Sequence, residues 1–490
     1  MPFTDSGFLL GFLPTVLGLY FLTTALIGRS RSLRRHRFGI ANAVVAGSSI
    51  VFLATGSQTY AGVISTAAVV LFVLGWIIDR QQRSEEQGRS GAVPELGLAL
   101  GLTGVLVLYG LYTSAHPVVG SLGGWITRFT EHRFSLPGLL VPLGLSVFVC
   151  HAVSFVVDIY RRDAVMHSNP AHSVMYLLGF PFIVAGPIVR YRDISHHLAT
   201  RQIGMASFAY GVRRFTIGLC KVVLIAQTLA VPADVAFAAS INNLGLVSAW
   251  MGLICFSLQV YFDLSGYADM ALGIGRMLGF RLPENFNAPY AADTFHEFWR
   301  RWNLSLTTWC DTYLHLSFES QLATIGRRTG SIFLLFMIVS LWHGPGWGVF
   351  TWGGVHAVFV ALECTRWGTM VARFPSPVRH IYLLGFVATS WVFFRADTLN
   401  EALYFFQALV GFGATGANAA TLPLTGMVWA ALVIGVLATV PALPTVSRWS
   451  VTVDVLATSL QMILTTAAMY VWARVLGQRS QPEQPREKND

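Results

Sequence analysis

Apolar runs of about twenty residues, long enough to cross a ~30 Å hydrocarbon layer as helices, recur along nearly the whole chain with short polar loops between them. On that pattern, spans fall near 8–28, 38–55, 59–78, 94–115, 136–158, 208–232 and 245–272. Further spans fall near 331–343, 349–366, 378–396, 423–445 and 453–476. The pattern predicts an all-α polytopic transmembrane helix bundle of roughly ten to twelve crossings, with re-entrant or interfacial helices around a buried polar cavity.

Two stretches depart from simple spans. The hydrophobic run at 172–192 is broken by Gly179, Pro181, Gly186 and Pro187. Broken backbone at membrane depth is tolerated only where protein or a wet cavity satisfies its polar groups, so a re-entrant element or a loop between two short helices both fit. At 294–313, Phe295, Trp299, Trp302, Leu306, Trp309 and Tyr313 recur at spacings of four and three. That spacing predicts one helix near the membrane interface with a single apolar stripe, and it makes Glu297 and Arg301 an i,i+4 pair.

Composition narrows the class. With 54% hydrophobic and 12% charged residues, the 490-residue chain does not describe several soluble domains. One membrane domain over 1–477 is expected, followed by a polar, disordered tail at 478–490. The net charge of +9 lies in loops flanking apolar spans rather than on one soluble face, which points to the lipid bilayer as partner and away from nucleic acid. Arg29, Arg31, Arg34, Arg35 and Arg37 follow the first span, which predicts a cytoplasmic loop and an extracytoplasmic N-terminus in the cell membrane. By alternation the charged loops at 79–90 and 161–163 also lie inside. The first span lacks a basic leader and a small-residue cleavage site, so it is not read as a removable signal peptide. Cys150, Cys220, Cys255, Cys310 and Cys364 show no metal-ligand spacing and are read as buried, inert thiols. Neither an internal repeat nor an inverted pair of broken spans is present, which weakens a transporter reading.

The chemistry concentrates between 261 and 356. Asp263, Ser265, Tyr267 and Asp269 lie at the end of an apolar run, where ionisable groups normally face the bundle interior or a cavity. Asp263 and Asp269 stand about 240° apart on an unbroken helix, and Gly266 is placed to bend the backbone between them. For Asp269, pairing with nearby arginines is favoured over catalysis. His296, Arg300, Arg301 and Asn303 occupy faces away from the aromatic stripe, and Asn303 can position or polarise a reacting group if it turns inward. His343 ends an apolar run in Leu341-Trp342-His343-Gly344-Pro345, where Gly and Pro stop the helix and bring backbone close to whatever the imidazole faces. His356 is a second catalytic candidate, with a packing or supporting role weighed equally.

Together these segments resemble the membrane-bound O-acyltransferase family, in its bacterial branch of alginate O-acetyltransferase and teichoic acid D-alanyl-transfer proteins. The resemblance rests on the 263–269 block, on Gly279-Phe280-Arg281-Leu282-Pro283-Glu284-Asn285-Phe286-Asn287, on Glu297-Phe298-Trp299-Arg300-Arg301-Trp302 and on Leu341-Trp342-His343-Gly344. Agreement at 185–191 is weaker. In that family the essential histidine lies in the Leu-Trp-His-Gly motif, which corresponds to His343. The position after Arg-Trp is usually His in the bacterial branch and is Asn303 here, and the Asp-Tyr-Leu-Tyr run is altered to Thr312-Tyr313-Leu314-His315.

The resemblance implies transfer of an acyl group, acetyl above others, from a cytoplasmic thioester to a hydroxyl of a cell-surface glycan, directly or through an extracytoplasmic partner acyltransferase. Acetyl-CoA or an acyl carrier protein is the implied donor, with no bound cofactor and no metal. His343 is the expected base and Asn303 the group that orients the acceptor or the acyl carbonyl, with an acyl-histidine intermediate as a variant. Asp263, Tyr267, Trp299, Arg300 and Arg301 are the substrate-binding candidates. The rival reading is an acyl or glycan export subunit, or a scaffold, without chemistry of its own.

Overall fold

The computed structural model describes residues 2–29, 36–87, 94–130, 144–184, 186–240, 243–316, 325–344, 346–414 and 420–439, and over 113–130 the backbone alone. The expected span at 453–476, the end of that at 423–445, the start of that at 136–158, the tail, Arg31, Arg34, Arg35, Ala185 and Pro345 lie outside the described residues. Among those described, helices are the only regular structure.

A π-helical turn, Phe8–Phe12, opens α1 (Leu13–Arg29), which is followed by α2 (Arg37–Ala54), α3 (Gln58–Glu86), α4 (Pro94–Thr130) and α5 (Leu145–Tyr160). The chain then breaks into α6 (Pro170–Leu178), α7 (Phe180–Ile183) and α8 (Tyr191–Ala199). Next come α9 (Met205–Cys220), a π segment (Lys221–Ala226), α10 (Gln227–Ala238) and the long α11 (Leu246–Met277). Two short helices, α12 (Phe295–Trp299) and α13 (Leu304–Leu314), precede α14 (Ile325–His343) and α15 (Trp347–Glu363). The series closes with α16 (Arg366–Val371), α17 (Ser376–Arg395), α18 (Leu399–Leu409) and α19 (Gly426–Thr439).

Among the described residues, six helical stretches are long and apolar enough to cross a bilayer, and α5 and α19 are shorter apolar helices. Side chains on these helices that face outward are apolar too, as on α1, where Leu19, Leu22 and Leu26 are exposed. Lipid is the solvent that accepts such a surface. Two of the predicted inner loops meet, where Arg162 pairs with Glu86 and Gln82 Nε2 donates to the Tyr160 carbonyl at 2.7 Å.

The broken stretch holds α6 and α7, then irregular chain over 186–190 that leads into α8. Tyr176, Leu177, Leu178, Phe180, Phe182 and Ile183 are completely buried. Such backbone needs hydrogen-bond partners that no helix provides. Side chains from α2, α5 and α13 provide them. Phe180 N donates to Ser49 Oγ (3.0 Å), Ile188 N to Ser305 Oγ (2.9 Å), Val189 N to His151 Nε2 (3.2 Å) and Arg192 N to Asp158 Oδ2 (2.8 Å).

Helix α11 is continuous through Gly266, which corrects the expected bend. The glycine serves helix approach instead. Gly211 and Gly218 on α9 face Gly273 and Gly266 on α11, so that a Cβ at Gly273 would stand 2.6 Å from the Gly211 carbonyl oxygen and one at Gly266 2.8 Å from that of Gly218. Small residues let backbones pack this closely where lipid offers no hydrophobic drive for association. Gly273→Val is expected to destabilise the protein by about 1–3 kcal/mol through overpacking. Its thermal midpoint in detergent checks this, and an unchanged midpoint would mean that the seam is slack. Beside the seam, buried Asp269 is held by Arg214 (2.6 Å) and Lys221 (2.6 Å), as the sequence favoured.

Candidate functional site

The stripe at 294–313 divides between two helices, which corrects the single helix expected from its spacing. Thr294 caps α12, accepting from Glu297 N at 3.1 Å, and the helix stops after Trp299. The chain then turns through Asn303, whose φ of 47° and ψ of 53° are left-handed, before α13 begins. Asn and His are among the few non-glycine residues that adopt this conformation with any frequency. The stripe still faces protein: Phe295, Trp299, Trp302, Leu306 and Trp309 are all buried. Trp302 stacks on Phe298 at 5.5 Å and packs on Phe286 and Trp391 at 5.2 and 5.3 Å. Such aromatic pairs add about 0.5–1.5 kcal/mol each beyond their buried area, which fixes the turn against α17. The predicted i,i+4 pair forms, with Arg301 NH2 2.6 Å from Glu297 Oε1.

Opposite this turn, Leu335, Phe336, Val339 and His343 recur along one face of α14. The helix ends at His343 because Gly344 takes a φ of 139°. Open space surrounds Gly344, so conformation and not close approach demands the glycine there. The close approach lies at Gly353 of α15, where a Cβ would collide with Ser340. The end of α14 is held from outside. Tyr109 OH donates to the Leu341 carbonyl at 2.9 Å, and Trp342 Nε1 to the Ser146 carbonyl at 3.2 Å.

Between the two faces lies a narrow, partly open pocket. Trp299, Trp302, Asn303, Leu306 and Thr307 line one wall, and Leu335, Phe336, Val339 and His343 the other, with Trp352 of α15 completing it. The imidazole of His343 stands between aromatic rings nearly perpendicular to it, those of Trp342 (4.8 Å), Trp352 (5.9 Å) and Phe394 (5.3 Å). It keeps accessible surface and forms no hydrogen bond with any described residue. Likewise the half-buried Asn303 side chain has no partner among them, since the helix bonds at this position go to its carbonyl. The His343 imidazole and the Asn303 amide are therefore uncommitted polar groups of a mostly apolar pocket, while the Thr307 hydroxyl donates to the Asn303 carbonyl at 3.4 Å; a few polar groups in an apolar lining ordinarily fix a ligand's orientation.

The other candidates lie elsewhere. His356 is fully buried behind Trp352, its ring 5.1 Å from that indole and Nε2 2.9 Å from Ser390 Oγ. Asp263 is half-buried on α11 and makes no hydrogen bond or ion pair with a described residue. Tyr267 packs on Phe3 at 6.1 Å, Arg300 is exposed on the turn, and Arg301 is spent on Glu297 and the Asn287 carbonyl. Of the five substrate-binding candidates, only Trp299 lines the pocket. Sequence reading missed Thr307 and Trp352. Thr307 stands four residues beyond Asn303 on the same face, a signal that a helix begun at residue 304 would have exposed.

The bundle thus brings one imidazole and one amide to the walls of a single mostly apolar pocket. Comparison with known proteins gives the class of the chain. The profile of the membrane-bound O-acyltransferase family matches residues 134–405, and the chain belongs to that family. It is 34% identical to a probable alginate O-acetylase, AlgI, of Azotobacter vinelandii over 413 residues, 84% of this chain and 79% of the relative. The corresponding Pseudomonas aeruginosa protein is 33% identical, covering 84% of this chain and 75% of its own length. A peptidoglycan O-acetyltransferase of Helicobacter pylori is 29% identical over 66% of each chain.

Proposed function

We propose that this protein transfers an acetyl group from a cytoplasmic thioester, acetyl-CoA or an acyl carrier protein, to a hydroxyl of a cell-envelope or secreted polysaccharide. Transfer is direct or through an extracytoplasmic partner. The observation that carries the reading is that His343 and Asn303, forty residues apart in sequence, line one pocket with their side chains uncommitted. The acceptor class follows from the relatives, named for alginate and peptidoglycan O-acetylation. The protein sits in the cell membrane with its N-terminus outside, which the arginines after the first span support.

In the proposed reaction His343 takes the acceptor's hydroxyl proton as the oxygen attacks the thioester carbonyl. Asn303 Nδ2 donates to the oxyanion that develops. The tetrahedral adduct collapses, the carbon–sulfur bond breaks, and the departing thiolate takes the proton from the imidazolium. Low dielectric around the pocket strengthens both interactions.

The test is the base-labile acetyl content of envelope and secreted polysaccharides in a strain deleted for the gene. The ester should disappear on deletion and return with the wild-type gene, and membranes given labelled acetyl thioester should label the same polysaccharide. An ester content that ignores deletion and complementation alike would refute the reading.

A further inference from the structure

The 279–287 block carries family resemblance yet contributes no residue to the pocket wall. Its geometry explains why it matters. Asn285, 9% exposed, lies in the loop between α11 and α12 and spends its acceptors on the turn at Asn303. Its carbonyl accepts from Leu304 N at 3.0 Å, and its Oδ1 accepts from Ser305 N at 3.1 Å and Ser305 Oγ at 2.8 Å. Two residues on, Asn287 N donates to the Arg301 carbonyl at 3.0 Å. These bonds grip the chain on both sides of residue 303, which must hold a left-handed conformation that L-residues resist. The loop is itself anchored, because Glu284 shares Arg214 with the buried Asp269, at 2.6 Å from each.

We propose that Asn285 is a positioning residue for acyl transfer: it holds the turn that presents the Asn303 amide to the pocket. The proposal rests on the acyl-transfer reading above. Removing the Oδ1 acceptor frees the first turn of α13 and lets Asn303 drift, a loss felt where the oxyanion develops in the transition state rather than in thioester binding. Misplacement by about 1 Å can cost roughly 100-fold in rate.

The experiment measures acetyl transfer by membranes carrying wild type, Asn285→Ala, Asn285→Asp, Asn303→Gly and the double variant Asn285→Ala/Asn303→Gly, at matched abundance. Asn285→Ala should lower kcat by about 100-fold with KM for the thioester little changed. Asn285→Asp keeps both acceptors at the N-terminus of α13, where a carboxylate is favoured, and should restore most of the rate. In the Asn303→Gly background, Asn285→Ala should cost nothing further, because the two act as a unit. If Asn285→Ala does not accumulate, Asn285→Ser takes its place, since a hydroxyl one atom shorter cannot span both Ser305 donors. Equal losses in both backgrounds, or an unchanged kcat, would overturn the positioning role while leaving acyl transfer intact. A wild-type protein that transfers no acetyl group overturns both.

Discussion

His343→Ala is expected to remove polysaccharide acetylation by about 10²–10⁴-fold while leaving the protein in the membrane at wild-type abundance, the range set by loss of a general base. The structural argument is that little else depends on this imidazole. It forms no hydrogen bond with a described residue, so its removal orphans no buried partner among them. The end of α14 is secured instead by Tyr109 and Trp342, through the Leu341 and Ser146 carbonyls. Trp352, Phe394 and Trp342 lose one edge contact each, a modest packing cost. His343→Gln fills most of the vacated volume and should be as inactive, because an amide cannot take the proton. The measurement is base-labile acetyl per unit of membrane protein in complemented deletion strains, beside the thermal midpoint in detergent. Transfer within twofold of wild type in both variants would remove His343 from the chemistry.

How far the sequence foretold this site depends on which interactions are local. The spans were legible because membrane helices satisfy their backbone internally, so length and apolarity suffice to place them. The Glu297–Arg301 pair was legible from its i,i+4 spacing, and the pairing of Asp269 because a charge in an apolar setting must find a counter-charge nearby. The break at Asn303 was not. Aromatic spacing of four and three runs unbroken through residues 295–313, and only tertiary bonds from Asn285 and Asn287 turn the chain there. The burial of 172–192 was open for the same reason, because Ser49, His151, Asp158 and Ser305 come from distant elements. Glycines invite two opposite readings from sequence. Gly266 and Gly344 were both read from their local surroundings, but Gly266 admits a neighbouring helix and Gly344 supplies a backbone angle.

Asn303 offers the sharper test of chemistry against architecture, because its backbone and its side chain make separate demands. The left-handed turn favours glycine over alanine, while the pocket on this reading needs the amide. Asn303→Gly should therefore fold at least as well as wild type, relieved of a conformation that costs L-residues about 1–2 kcal/mol, yet lose about 10²–10³-fold in transfer rate through loss of an oxyanion donor. Asn303→Ala should lose as much activity and some abundance as well. Asn303→His introduces the residue usual in the bacterial branch, one that tolerates the same backbone region and keeps a ring N–H to donate, so it should recover a measurable part of the rate. Thermal midpoints and acetyl transfer for the three variants separate these expectations. If Asn303→Gly transfers at the wild-type rate, the turn matters only as architecture, and Thr307, with its hydroxyl on the same wall, becomes the donor to examine.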